Sequence, residues 1–299
     1  MFDLNFLRNT RKTGARPFAL TRRTVLSALP GALGAAAFSG KISAQEFHIN
    51  GADIKLGIAS FSFRNFQRAK AIEMTKALGT PFLNVKDFHL KMDASPAEIE
   101  EAKKEFADAG IILVGCGNVS FQKDDESDIR AKFEYAKRAG FPLIVCAPTA
   151  VTLPKLEKYV KEYDIKIAVH NHGPEDKNFP TPQSVLKAVK DMDPRCGLCM
   201  DIGHTSRTGV DIVESIQEAG PRLLDMHSKD LADPMVKESQ TAVGDGHLPV
   251  ARIFQQLIRM KYAGCVNLEY EIKADDPLPG MQKSFAYMRG VLAGIQVAS

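Results

Sequence analysis

From about residue 54 onward the sequence alternates between short apolar runs and amphipathic stretches. The runs occupy 54–61, 82–85, 111–115, 143–147, 165–169, 196–200, 222–226 and 265–268, each of strand length. The stretches between them repeat apolar residues at helical spacing, as in 95–109 and 128–139. Start and stop signals agree. Ser95 followed by Pro96 and Glu98 is an N-cap with proline in the first turn, and Gly110 stops that helix. Leu153-Pro154 and Thr181-Pro182 open two more helices, while Gly140 and Gly220 close others. Strands alternating with helices form a parallel sheet, because each parallel crossover needs a covering element. Eight units of about 30 residues predict an α/β chain with a single (β/α)8 barrel over 45–299. An open doubly wound sheet would call for a glycine-rich phosphate turn after its first strand, and Gly57-Ile58-Ala59-Ser60 is not one.

The first 44 residues read differently. They hold seven of the 39 basic residues and one of the 36 acidic ones, leaving 32 basic against 35 acidic residues beyond them. The formal +3 of the whole chain therefore becomes −3 for the barrel region, which argues against a nucleic-acid partner. Thr21-Arg22-Arg23-Thr24-Val25-Leu26 joins paired arginines to an Ala/Gly-rich apolar run reaching Phe38, and Ser43-Ala44 offers a small-residue cleavage site. A basic start, a short apolar run and such an end describe an export signal, and the paired arginines resemble the twin-arginine type. The expectation is a signal segment over 1–44, the twin-arginine export machinery as partner, and a mature protein that is periplasmic or otherwise exported. The apolar run is short for a spanning helix, so no stable membrane insertion is expected after cleavage. The five cysteines are odd in number and mostly sit in apolar runs, so they read as buried small hydrophobes rather than a disulfide framework. Cys196-x-x-Cys199 puts its thiols on opposite faces of a strand and has no second pair, which argues against zinc or redox use.

In a (β/α)8 barrel the site gathers where the strands end. The first, third and fourth ends are bland, with Ser60, Ser62, Asn118, Pro148 and Thr149, and the second ends Asn84-Val85-Lys86-Asp87. The last four are dense in polar groups: His170-Asn171-His172-Gly173, Asp201-Ile202-Gly203-His204, His227-Ser228-Lys229-Asp230 and Glu269-Tyr270-Glu271. Period-two alternation puts Ala168, His170 and His172 on one face. It does the same for Cys199 and Asp201, for Leu223, Asp225 and His227, and for Asn267, Glu269 and Glu271. Imidazoles and carboxylates converging on a barrel mouth are costly to bury unless they pair, hydrogen-bond or bind metal. Two His nitrogens and two carboxylates suit one divalent ion, Mn, Co, Zn or Fe(II), with Mg less suited.

The order His-Asn-His-Gly, Asp-x-Gly-His, His-x-Lys-Asp and Glu-x-Glu over this pattern resembles the xylose isomerase-like barrel superfamily across 54–295. That group includes sugar phosphate isomerases and epimerases, ketose 3-epimerases, inosose dehydratases and endonuclease IV. The resemblance implies one divalent metal held by residues of the last four strands, here His170, Asp201, His227 and Glu269. Epimerases of the group commonly have Glu at the first position, so His170 is a departure. It lowers the negative charge of the ligand set, leaving the metal a stronger Lewis acid. It also removes one of the two carboxylates that 3-epimerases use as acid and base, so another base is needed.

Removing a proton beside a carbonyl requires a base within reach and an electrophile for the developing enediolate. Glu271, on the face of Glu269, is that base or a solvated loop carboxylate. His204 is a base or hydrogen-bonds a ligand from behind. Lys229 polarises a substrate oxygen or pairs with Asp230. Lys86, inward by alternation, and His172, the second choice for the strand-five ligand, are candidate substrate contacts. The long segments 173–181 and 228–249 are candidate lids, with Phe179 and His247 closing over a sugar ring and Asp245 as a further contact.

The expectation is a divalent-metal-dependent isomerase or epimerase acting on a sugar, keto-sugar or polyol through an enediolate. The alternative enolises in the same way and then expels a β-substituent: a lyase or dehydratase on a keto-sugar or keto-glycoside. Phosphate is not demanded, since no Gly-rich or Arg-clustered cradle is apparent. An endonuclease IV-like protein would need more His ligands and a basic face. A non-catalytic sugar-binding barrel would have no use for the ligand set.

Overall fold

The computed structural model describes residues 46–298, so the expected signal segment, with its arginine pair and cleavage site, lies outside the described residues. The strands are β1 (Glu46–Ile49), β2 (Ala52–Ala59), β3 (Phe82–Val85), β4 (Ile112–Phe121), β5 (Leu143–Pro148), β6 (Lys166–His170), β7 (Cys196–Asp201), β8 (Leu223–Ser228), β9 (Asp230–Leu231), β10 (Gln240–Thr241) and β11 (Cys265–Leu268). The helices are α1 (Arg68–Ala77), α2 (Pro96–Asp108), α3 (Glu126–Ala139), α4 (Leu153–Tyr163), α5 (Pro182–Val189), α6 (Ile202–Ser206), α7 (Ile212–Ala219), α8 (Val250–Arg259) and α9 (Leu278–Ala298). Strands β2 to β8 and then β11 pair in parallel, each with the next, and β11 returns to β2. The sheet therefore closes into a single (β/α)8 barrel rather than the open alternative. No described helix is long and apolar enough to cross a membrane.

Alternation along each strand sorts side chains into two layers. Ile58, Leu83, Ile144, Val169, Leu198, Met226 and Leu268 join helix residues such as Ile99, Phe106, Phe133, Leu257 and Phe285 in the large core between barrel and helices. A small inner cluster of Leu143, Val145, Ala168 and Cys199, with Leu224, fills the barrel below its mouth. Cys196 lies in the outer layer and Cys199 in the inner one, on opposite faces as the spacing requires. All five cysteines are free and buried. Local signals do their expected work at α2: the Ser95 hydroxyl accepts from Glu98 N, and the Glu98 carboxylate accepts from Ser95 N at 2.7 Å.

Three features differ from the sequence reading. β1 pairs antiparallel with β2 through Asn50-Gly51, both with positive φ, which is the hairpin chemistry of that dipeptide. β4 runs on to Phe121, with its register shifting between Cys116 and Val119, so Asn118 is an exposed strand residue rather than a strand end. Leu223 belongs to the outer layer and Leu224 to the inner one, because the register of β7 and β8 shifts after Leu198.

Candidate metal centre

His170, Asp201, His227 and Glu269 stand at or just past the ends of β6, β7, β8 and β11, all nearly inaccessible to solvent. One donor atom from each lies within 4.8 Å of the other three. His170 Nε2 and His227 Nδ1 are 3.1 Å apart, His227 Nδ1 and Glu269 Oε2 3.1 Å, and His170 Nε2 and Asp201 Oδ2 3.6 Å. Atoms bound at about 2.1 Å to one ion sit roughly 3.0 Å apart at octahedral corners and roughly 3.4 Å at tetrahedral ones. These separations are close to the edge lengths of a coordination polyhedron around one ion. Asp201 Oδ2 also lacks an aligned hydrogen bond despite its complete burial. The donor set, two nitrogens and two carboxylate oxygens, fits a borderline divalent ion. Cys199 Sγ is also within reach of the two imidazoles, but burial pushes its thiol well above the usual range, so it offers little thiolate.

Two buried lysines face the set. Lys229 Nζ lies 2.9 Å from Asp201 Oδ2, 3.4 Å from Glu269 Oε2 and 2.6 Å from Glu271 Oε2. Lys86 Nζ lies 3.2 Å from Glu269 Oε1. Burial alone would raise the carboxyls of Asp201 and Glu269. The facing imidazoles and ammonium groups overcome it and hold both well below the usual range. Burial would likewise lower Lys229, but Asp201, Glu269 and Glu271 outweigh it and keep it protonated. Burial lowers His227 to about 4 and His204 to about 3, so both imidazoles are neutral at pH 7. Burial also pushes the Asp225 carboxyl, beneath His227, up to about 7.

Glycine makes room for this arrangement. A Cβ at Gly203 would sit 2.6 Å from Lys229 Cδ, so the Asp201-Ile202-Gly203-His204 turn lets the lysine stem pass. Lys229 does not pair with Asp230. The Asp230 carboxylate instead accepts from the backbone N–H groups of Gly244, Gly246 and Leu248 and ties down that loop. A Cβ at Gly246 would come 2.2 Å from Asp230 Oδ1.

The remaining predicted residues divide. His172 is exposed, its ring 4.4 Å from that of His204, beside the donors rather than among them. His204 Nδ1 accepts from Arg207 Nη2 at 2.7 Å, which leaves its proton on Nε2, 4.0 Å from Asp201 Oδ2. His204 is thus a donor toward the set. Asp245 forms an exposed ion pair with Lys283 at 2.7 Å, and His247 is exposed, its backbone N–H bonded to Leu231 O. Neither hydrogen-bonds to the donor residues. Phe179 packs in the main core, so it does not cover a ring at the mouth.

Several residues that hold the site were missed. Asn171 Oδ1 accepts from Asp201 N, and Gln240 donates to Glu269 O while accepting from Glu271 N. The bland serines also act here: Ser60 Oγ accepts from Lys86 N, and Ser62 Oγ from Tyr270 N. Only Asn171, within the His-Asn-His-Gly end, had a local signal. The others reach the site through tertiary packing.

A profile described as xylose isomerase-like TIM barrel matches residues 72–291. A search of curated proteins finds no significant match. Among solved structures, an uncharacterized protein of Parabacteroides distasonis is 25% identical, with a TM-score of 0.63 over 80% of this chain and 99% of that one. The 3-keto-D-glucoside 4-epimerase of E. coli is 18% identical, with a TM-score of 0.65 over 79% and 99%. The IOLI protein, crystallised with a bound zinc atom, is 18% identical, with a TM-score of 0.68 over 80% and 98%. By the extent of the profile match and the barrel described above, this chain belongs to the xylose isomerase-like TIM barrel family.

Proposed function

We propose that this chain is a divalent-metal-dependent sugar isomerase or epimerase that enolises a sugar or keto-sugar. The observation that carries the reading is the convergence of His170, Asp201, His227 and Glu269 within 4.8 Å at the C-terminal mouth of the barrel. A divalent ion held there would supply Lewis acidity to a carbonyl oxygen of the substrate. The chain's own groups divide the proton work. Lys229, kept protonated by its three carboxylate neighbours, serves as a cationic hydrogen-bond donor and not as a base. His204, with its proton on Nε2, donates in the same direction. Glu271 is the carboxylate outside the donor set, partly open to the mouth and oriented by Lys229, and takes the role of base. Lys86 holds Glu269 from the opposite side.

The lyase reading is supported by the same chemistry, because an enolised keto-sugar can expel its β-substituent. Similar folds include a 3-keto-D-glucoside 4-epimerase and a probable 3-DHS dehydratase, at 18% and 12% identity. Ketoses and 3-keto-glycosides incubated with the protein, Mn2+ and deuterated water, followed by product NMR, distinguish the two outcomes. Deuterium at the carbon next to the carbonyl supports both readings, and an altered configuration without elimination supports the epimerase. No exchange with any substrate of the panel overturns both.

Export by the twin-arginine route, with action in the periplasm or beyond, is also proposed from Arg22 and Arg23. Fractionation of cells carrying the wild type and an Arg22→Lys, Arg23→Lys variant tests it. Retention of only the variant in the cytoplasm is the expected result, and equal distribution rejects the route.

A further inference from the structure

Beneath the donor set the barrel interior is unexpectedly polar. Such interiors are mostly filled by branched apolar side chains, yet Asn84, Asp225 and Asn267 are buried there. Asp225 lies two residues before His227 on β8 and is 2% exposed. Its Oδ1 accepts from Asn267 Nδ2 at 2.8 Å, and its Oδ2 accepts from Cys199 Sγ at 3.6 Å. That same Oδ2 stands 3.8 Å from His227 Nε2.

The two nitrogens of His227 face different surroundings. Nδ1 is turned toward His170 and Glu269, whereas Nε2 is fully buried with no hydrogen-bond partner. A neutral imidazole that offers its lone pair at Nδ1 carries its proton at Nε2. Leaving a buried N–H without an acceptor costs the desolvation of that group. The Asp225 carboxylate faces it, with Oδ2 at 3.8 Å. From the other side, a cavity of about 260 Å3 rises from the N-terminal mouth of the barrel and is lined by Asp225, Leu143, Leu224 and Cys265. Asp225 therefore separates that cavity from the donor set.

We propose that Asp225 is a positioning residue: its carboxylate accepts a hydrogen bond from the Nε2–H of His227 and so fixes the tautomer and ring orientation that turn Nδ1 toward His170, Asp201 and Glu269. This rests on the metal reading of those four residues. A histidine ligand oriented in this way through its distal N–H loses about ten- to a hundredfold in metal affinity when the partner is removed.

The test uses Zn2+ as probe, with affinity measured by chelator competition on the wild type, Asp225→Asn and His227→Ala. Nitrogen-15 NMR of the imidazoles in zinc-loaded wild type accompanies it, so that a readout survives if Asp225→Asn folds poorly. The expected results are one zinc per wild-type chain, a ten- to hundredfold weaker site in Asp225→Asn, and a proton on Nε2 of His227. A merely structural role would lower the melting temperature of Asp225→Asn and leave zinc affinity unchanged. Unchanged affinity, or a proton on Nδ1 in the zinc-loaded wild type, overturns the proposal and leaves the metal reading standing. Zinc binding that is absent from the wild type, or undiminished in His227→Ala, overturns both.

Discussion

Strands β6, β7, β8 and β11 lead to all four donor residues, whereas β2 to β5 bring a single charged side chain, Lys86, to the same set. Both halves repeat one strand-and-helix unit and share one core. They differ in what their polar strand ends bond to. In the first half these groups satisfy backbone: Ser60 accepts from Lys86 N, and Thr152 Oγ1, after β5, donates to Phe121 O. In the second half His170, Asp201, His227 and Glu269 turn toward one another, and Lys229 spans three carboxylates. A barrel can therefore confine its chemistry to one sector while the rest supplies rigidity.

The contrast breaks most sharply at the donors. Glu269→Ala and Asp201→Ala should each weaken metal binding by more than about a hundredfold, beyond the range for an outer partner. Metal analysis of the purified variants checks this, and an unchanged content would show that the second half is not a metal centre. Phe133→Ala, in the first half, should remove about 3–5 kcal/mol of stability by opening a cavity beside Tyr159. Denaturant unfolding measures the loss, and metal content per folded chain should stay at the wild-type level.

Lys86→Met probes the charged link between the first half and the donor set. A hydrogen bond to a charged group contributes about 1.5–3 kcal/mol, which corresponds to a roughly ten- to hundredfold fall in kcat/KM with metal stoichiometry preserved. An unaltered kcat/KM would leave the first half without a part in the chemistry. Ser95→Ala removes half of the capping box of α2 and should cost about 1 kcal/mol with no kinetic effect.

The smallest expected effect concerns Glu175, whose carboxylate Arg207 holds at about 2. A carboxyl depressed in the folded state adds stability above its unfolded pKa of 4.5 and loses it as pH falls toward 2. Glu175 is half exposed, so the contribution is small. Glu175→Gln should flatten the pH dependence of the melting temperature within that window only. An identical slope would detach the Arg207–Glu175 pair from stability.

Particular residues show how far the sequence could be read. His170, Asp201, His227 and Glu269 were visible because strand alternation is strict and each sits at or just beyond a run of apolar residues. Lys86 followed from the same alternation. Lys229 was left between a substrate role and a bond to Asp230. Its direction depends on Gly203 making room for its stem and on Asp230 being engaged by the 244–248 backbone. Phe179 lies in a polar stretch that suggests a lid, but its ring finds the main core. The β1–β2 hairpin carried its local signal in Asn50-Gly51, a turn dipeptide that lies outside the alternation of apolar runs.

Alone, the sequence determined the eightfold alternation, the closed parallel barrel that follows from it, and the strand ends richest in ionisable groups. These are consequences of local periodicity and of backbone hydrogen bonding, which every unit must satisfy for itself. Only the tertiary structure decided which nitrogen of each histidine faces the centre, where Lys229 points, and that Gln240 and Ser62 hold the end of β11. Those outcomes depend on residues up to 208 positions apart meeting in one volume, where burial makes every unpaired polar atom costly.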